Sequence, residues 1–179
     1  INGGILGGET DIYGLSVKTT QFFPLVWDMT FVTRMQFSAV DTYGDSNSVA
    51  IFDKLFLGGT YSLRGYDYRD IGPREIDPLS NAVTSNESIG GLTSAFLSTE
   101  LTFPMWNKVR GAIFYDWGLV NEESWDFDTS LYNDNFGIGL RIELPGFPLQ
   151  LDYGWPIHYN EIERGESGKP KFNFLMGYV

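Results

Sequence analysis

Along residues 27–40 the side chains alternate in character. Trp27, Met29, Phe31, Thr33, Met35, Phe37 and Ala39 take one parity, and Asp28, Thr30, Val32, Arg34, Gln36 and Ser38 take the other. Successive side chains of a strand point to opposite faces, so this segment carries one apolar face and one polar face. The same period recurs in 109–117, where Val109, Gly111, Ile113, Tyr115 and Trp117 oppose Arg110, Ala112, Phe114 and Asp116. It recurs again in 136–144, 149–157 and 171–179. Segments 13–23 and 89–103 are compatible with it, and the glycine-rich 1–7 could be one more strand. The pattern predicts about eight strands and no helix.

The connections differ in length in a regular way. Three are short and carry proline, at 24–26, 104–107 and 145–148. The others include long polar stretches at 41–88, 121–132 and 159–170. Short and long alternate along the chain. In an antiparallel meander this puts short turns at one end and long loops at the other, as in an outer-membrane barrel. Segments of this length also suit tilted strands crossing a hydrocarbon core.

Composition narrows the reading further. The chain has 179 residues, no cysteine, one histidine and a formal net charge of -11. It is a single domain by length. Disulfides, thiolate metal sites and multi-histidine metal sites are excluded. The acidic balance argues against nucleic acid as a partner, because phosphate binding needs clustered Lys and Arg. No run reaches the ~18 apolar residues of a membrane helix. Mean hydropathy is -0.14. Membrane strands escape such an average, because their lipid-facing and lumen-facing residues cancel.

The polar parity decides between a soluble and a membrane barrel. It contains Arg34, Arg110, Asp116, Arg141, Glu143 and Asp152. Ionised groups are costly in a dry core but acceptable in a wet lumen. The charged face is therefore inside. The apolar face, with Phe31, Met35, Ile113, Tyr115, Ile138, Leu140, Leu151 and Phe174, meets lipid. Trp27, Trp106, Trp117, Trp155, Phe23, Phe147, Tyr153 and Tyr159 fall near strand ends, as interfacial aromatic girdles do. The fold class is all-β, an antiparallel transmembrane β-barrel of about eight strands, or the C-terminal eight strands of a larger one. Carboxylates of the long loops, among them Asp45, Glu75, Asp77, Glu122, Asp126 and Asp128, form solvated surfaces or bridge cations to anionic headgroups.

One stretch stands out from this background: Leu57-Gly58-Gly59-Thr60-Tyr61-Ser62-Leu63-Arg64-Gly65-Tyr66, followed by Ile71-Gly72-Pro73. Glycines and aromatics around one arginine can hold a guanidinium at a fixed place. Glu100 shares the inward parity of Phe96, Ser98 and Thr102, and Asp116 is inward on the next strand. Two such carboxylates repel unless a cation intervenes. The fork-shaped donor available is Arg64.

This stretch resembles the loop signature of the BamA-like superfamily of outer-membrane assembly and translocation barrels, Val/Ile-Arg-Gly-Phe/Tyr. Leu63 stands at the aliphatic position and Tyr66 at the aromatic one. The similarity runs through essentially the whole chain, including Gly90-Gly91, Asp116-Trp117-Gly118 and the closing strand. The resemblance implies that the long loop folds into the lumen and that its arginine pairs with Glu100 and Asp116. It implies a role in folding and inserting other β-barrel proteins into the bacterial outer membrane. Its alternatives are a two-partner-type secretion pore or a small passive barrel. The implied partners are outer-membrane lipid and lipopolysaccharide, unfolded outer-membrane proteins and periplasmic assembly lipoproteins. No cofactor and no enzymatic activity are expected. His158 stands alone, and no Gly-x-Ser-x-Gly motif accompanies it. Phe172, Phe174, Met176 and Tyr178 resemble the alternating C-terminal signal of outer-membrane proteins, although Val179 follows where an aromatic is usual.

The domain expected is one barrel over 1–179 with a long extracellular loop at 41–88 and no POTRA domain. Ile1 reads as the start of a processed, trimmed or partial chain. Small barrels of about eight strands are filled by their own side chains. If the barrel closes at that size, the loop lies above the mouth and Arg64 cannot reach the two carboxylates. The strand count favours that broken contact.

Overall fold

The computed structural model describes residues 11–44, 48–77, 79, 83–144, 146–158 and 168–177. The apolar/polar alternation becomes one antiparallel sheet of seven strands. These are β1 (Ile12–Pro24), β2 (Thr30–Thr42), β5 (Thr93–Trp106), β6 (Val109–Asn121), β7 (Asn133–Ile142), β8 (Leu149–Pro156) and β9 (Lys171–Met176), in the order β1-β2-β5-β6-β7-β8-β9. Among the described residues β1 and β9 are the two edges. The strand expected at 1–7, Tyr159 and Tyr178 lie outside the described residues.

The long connection after β2 is not wholly irregular, as 41–88 had suggested. It contains a small hairpin, β3 (Arg74–Ile76) with β4 (Val83–Ser88), and continues to residue 92. Its polar composition offered no apolar alternation to reveal this pairing. Two turns are also displaced from their expected places. Trp27 is not on a strand face. It sits in a 3-10 turn, Val26–Asp28, and both Trp27 and Asp28 have φ of 57°. Arg110 fastens this turn, with Nη1 donating to Asp28 Oδ2 at 2.9 Å and Nη2 donating to the Asp28 carbonyl at 2.6 Å. At the next turn β5 runs through Pro104 to Trp106, with an irregular register between Pro104 and Trp106. Proline is tolerated at such an irregularity because no ladder bond is required of its nitrogen.

The faces follow the parity. Ile113, Ile138 and Phe174 are more than half exposed on the outer face. Asp116 and Asp152 are buried on the inner face, at 0% and 1% exposure. Met35 and Tyr115 lie outward with the apolar set, while Arg34, Arg110 and Arg141 lie inward and bond to inner-face or turn partners. Aromatic pairs on the outer face, such as Phe136 stacked on Trp155 at 5.2 Å between centroids, tie neighbouring strands.

The principal buried apolar cluster lies between the sheet and the long loop. Leu57, Leu63, Tyr66 and Ile71 of the loop pack with Phe96 of β5 and Val120 of β6. Bridges Leu57 to Ile71 and Leu55 to Gly91 give the loop its own backbone pairing. The loop thus covers the concave face, where the motif it carries can meet inner-face side chains.

An arginine placed at Ile113 or Leu140 will face hydrocarbon. Each substitution should destabilise the folded protein by roughly 2–4 kcal/mol near the membrane midplane. Denaturant titration of protein refolded into lipid vesicles measures this. The same change at Gln36, on the inner face, should cost much less.

Candidate functional site

The motif loop is shaped by its glycines. Gly58 and Gly59 have φ of 107° and 92°, in the region that favours glycine. A side chain on Gly58 would also collide with the Asp67 carbonyl. Gly58 N–H donates to Ser62 Oγ at 2.8 Å, and Gly59 N–H donates to the Leu63 carbonyl at 3.1 Å. This tight loop buries Leu63 at 0% exposure and presents Arg64 to the sheet. Tyr66 closes it from the other side, its hydroxyl lying 3.0 Å from the Asp134 carbonyl and 2.8 Å from that of His158.

Arg64 is 1% exposed and meets three carboxylates. Its Nε and Nη2 donate to the two oxygens of Asp116 at 2.9 and 2.7 Å, a two-pronged pairing of planar fork and carboxylate. Its backbone N–H adds a third bond to Asp116 Oδ2 at 3.2 Å. Nη1 donates to Glu100 Oε2 at 2.6 Å and reaches Asp152 Oδ2 at 3.4 Å. Nη2 also donates to Ser98 Oγ at 3.2 Å. The guanidinium lies over the Phe114 ring, 3.5 Å from its centroid. Such a contact is most effective away from water. The Arg64 carbonyl accepts from Asn173 Nδ2 on β9 at 2.6 Å.

Further side chains extend the network. Arg141 holds Glu100 through Nε and Nη2 at 3.1 and 2.7 Å, and Asp152 through Nη1 at 2.7 Å. Arg34 reaches Glu100 Oε2 at 3.4 Å. Ser98 and Asn135 donate to Asp116 at 2.7 and 3.1 Å. Arg34, Arg64 and Arg141 therefore balance Glu100, Asp116 and Asp152. Burial by itself would lower the pKa of Arg64. Attraction to Asp116 and hydrogen bonding with it, then attraction to Glu100 and Asp152, outweigh burial and raise it above the ordinary arginine value. The guanidinium stays charged throughout the range in which proteins fold.

The sheet has a floor for this loop. Gly137 of β7 is paired with Gly154 of β8. A side chain on Gly137 would strike the ring of Phe114, and a Cβ on Gly154 would lie 2.8 Å from the Arg64 carbonyl and the Gly65 nitrogen. Gly65 approaches as closely from the loop side, where a Cβ would lie 2.6 Å from Asn135 Cβ. Backbone meets backbone here, so both surfaces need glycine.

The contact between Arg64 and Glu100 with Asp116 corrects the expectation that the loop would lie above the mouth. That expectation assumed a barrel closed at about eight strands. Among the described residues the sheet is not closed, and its concave face has room for the loop. Glu100 and Asp116 are not directly paired either: Glu100 faces Phe114, and Asp116 faces Ser98. Asp152, Arg141 and Arg34 were read as inward but not as partners of the motif. The presence of both signs of charge on one inward face was the available signal. The role of Gly137 and Gly154 had a signal as well, two glycines on the charged parity of successive strands. Phe172, Phe174 and Met176 project outward from β9. His158 is exposed at the end of β8, its N–H donating to Asp134 Oδ1 at 2.7 Å.

The fold and this loop-filled concave face define a transmembrane β-barrel of the bacterial outer membrane. Residues 1–178 match the Omp85 superfamily domain, and the chain belongs to that superfamily. It is 30% identical over 98% of its length to the outer membrane protein assembly factor BamA of Nitratidesulfovibrio vulgaris, covering 21% of that protein. It is 31% identical over 76% of its length to BamA of Neisseria meningitidis serogroup B, covering 17% of it. The chain therefore spans about a fifth of the length of the curated relatives it matches. The crystal structure of BamA from Haemophilus ducreyi lacking POTRA domains 1-3 superposes with a TM-score of 0.78 at 22% identity, over 96% of this chain and 36% of that one.

Replacing Arg64 by Ala strips Asp116 of its cation, while Glu100 retains Arg141. Breaking a buried pair in this way typically costs ~3–5 kcal/mol, and water entering the lumen reduces it. Arg64→Lys should recover only part, because a point charge cannot span Asp116, Glu100 and Ser98 together. Equilibrium unfolding in lipid vesicles gives both values. Gly154→Ala should lift the loop off the sheet and expose 43–92 to protease. Gly14→Ala, whose Cβ would meet Val40 Cγ2 at an ordinary 3.4 Å, should leave the digestion pattern unchanged.

Proposed function

We propose that this chain forms part of the barrel of an outer-membrane protein assembly factor, one that folds and inserts other β-barrel proteins into the outer membrane. The arrangement that supports this reading most directly is the convergence of three strand carboxylates on the single guanidinium of loop residue Arg64. A barrel that merely anchors has no need to bury such a costly ionic cluster beneath a long loop. A barrel that must deform while keeping its lumen sealed does benefit from it. The similarity to BamA proteins points the same way.

In this reading the long loops lie outside the cell and the proline-bearing turns face the periplasm. Gly58, Gly59, Leu63, Arg64, Gly65 and Tyr66 form the clamp, Glu100 and Asp116 its partners, and Phe172, Phe174, Met176 and Tyr178 the barrel's own assembly signal. The edge of β9, unpaired among the described residues, offers backbone groups on which a substrate strand can form a ladder. The substrates are unfolded outer-membrane proteins, and lipopolysaccharide, phospholipid and periplasmic assembly lipoproteins are the surroundings in which it works. The chemistry is conformational, with no covalent step and no cofactor.

The full-length protein carrying Arg64→Ala tests this in cells depleted of the unaltered factor. The variant should itself reach the outer membrane and migrate as a folded, heat-modifiable species, while folded client barrels fall several-fold. Normal client levels with a detached loop would sink the assembly reading. Loss of one secreted polypeptide with intact client barrels would instead favour a secretion pore.

A further inference from the structure

The connection 122–132 between β6 and β7 lies at the long-loop end of the sheet, and it does not rise away from the strands. Ser124 Oγ donates to the Val40 carbonyl of β2 at 2.8 Å, and Trp125 Nε1 donates to the Tyr13 hydroxyl of β1 at 3.3 Å. Thr93 Oγ1 of β5 donates to the Glu123 carbonyl at 2.9 Å. Asn121 Nδ2 donates to the carbonyls of Asp126 and Asp128 at 2.9 and 3.1 Å. The Phe127 ring meets that of Phe37 edge-on, 6.4 Å between centroids, and Tyr132 stacks on Trp117 at 6.3 Å. The segment thus leaves β6, crosses β5 to reach β2 and β1, and returns to β7.

The side it crosses is the outer one. Phe37 and Trp117 belong to the apolar parity. In the register Phe37 faces Ala95, which faces Leu119, and Ala39 faces Thr93, which faces Asn121. Ala39, Thr93, Ala95, Leu119 and Asn121 therefore point outward, yet none is more than 5% exposed. Farther down the same face Ile113 and Ile138 are more than half exposed. At its upper end a loop covers what lipid meets below. The loop's own outward surface is again apolar: Trp125, Phe127 and Leu131 are each nearly half exposed. Height places this surface in the membrane. The stretch from Thr30 to Ala39 climbs about 23 Å, at about 3.4 Å per residue and a tilt of about 40°. The apolar band of such barrels is about 25 Å tall. With the short turns at one boundary, Ala39 and the loop over it stand at the other.

We infer that 122–132 is a membrane-interface anchor, seated at the headgroup level with Trp125, Phe127 and Leu131 toward the acyl chains. Its partner is the lipid surface itself. The apolar surface runs on into Phe37 and its cross-strand neighbour Val17 on the lipid-facing strands, which favours lipid over a protein partner. An indole, with a broad apolar body and one polar atom, suits this level. The Trp125 N–H already has Tyr13 as its acceptor, so no unpaired donor enters the interface. The polar groups of the loop are satisfied in the same way. Asp126 Oδ1 accepts from the Asp128 N–H at 2.9 Å, and Asp128 accepts from the N–H and the hydroxyl of Ser130, each at 2.9 Å. Glu122 and Glu123 are exposed and cannot follow the rings into hydrocarbon, which stops the segment at the boundary. The anchor needs the barrel in a bilayer and holds whether or not that barrel assembles other proteins.

Tryptophan quenching in phosphatidylcholine vesicles tests this. The full-length protein and its Trp125→Phe variant are refolded into vesicles of three kinds: unbrominated, brominated on the acyl carbons near the headgroup, and brominated at the chain ends. The difference in emission between the two proteins reports Trp125. That difference should lose most of its intensity with bromine near the headgroup and much less with bromine at the chain ends. Phe127→Trp in the Trp125→Phe background should repeat the pattern. Phe52→Trp in the same background is the control. Phe52 is more exposed than Phe127 but belongs to the loop that covers the inner face, and a tryptophan there should keep its emission in all three vesicles. Equal intensity of the Trp125 difference in all three overturns the anchor and leaves a surface facing water or a protein partner. Strongest quenching by chain-end bromine, or equal quenching of the tryptophan at 52, overturns the placement at the boundary.

Discussion

The pairing of the Arg64 guanidinium with the Asp116 carboxylate is the constraint on which the inner face depends. Asp116, Glu100 and Asp152 come from β6, β5 and β8 and are all buried. Without a cation between them they would repel. Arg141, on β7, holds two of the three, but among the described residues of the strands only the neutral donors Ser98 and Asn135 hold Asp116. The missing charge arrives from the loop. A residue far from the sheet in local structure thus completes the electrostatics of its wall. The placement of the Arg64 loop and the charge balance of the strands are thereby coupled.

This also explains where the apolar core lies. A soluble β-barrel fills its interior with the side chains of its own strands. Here the strands give their apolar parity to lipid and keep ionised groups within. The interior apolar surface must come from elsewhere, and Leu57, Leu63, Tyr66 and Ile71 of the loop supply it against Phe96 and Val120. The glycines of β7 and β8 are the counterpart of this choice. By withholding side chains at 137 and 154, the sheet lets Phe114 lie flat under the guanidinium and lets the loop backbone touch the strand backbone. The close approach shields the ion pairs from water, and shielding strengthens them.

Tyr66 and Asn173 fasten the loop at two further points, one at the ends of β7 and β8 and one on β9. The loop therefore contacts β5 through β9 and leaves the inner face of β1 and β2 on the turn side comparatively bare. That uneven coverage leaves an open cavity on the inner face, lined by Lys18 and Arg34 among others. In the Omp85 superfamily chain described here, the clamp and the cavity are neighbouring regions of one charged wall, joined through Glu100, which Arg64, Arg141 and Arg34 share.

By itself the sequence determined the strand parity and the inversion of faces, because a period of two is a local property. It also singled out Arg64 and the inward direction of Glu100 and Asp116, because each follows from its neighbours along its own segment. It was silent on the hairpin of β3 and β4, on the displaced turns at Trp27 and Pro104, and on the recruitment of Asp152, Arg141 and Asn173. These depend on register and on the curvature of the sheet, which set which inward residues share a height. The reach of Arg64 depended on the same thing. Strand count suggested a lumen too narrow for the loop, whereas the open concave face admits it. Only the tertiary structure decided that, because the space available to a loop belongs to the whole sheet and to no segment of the chain.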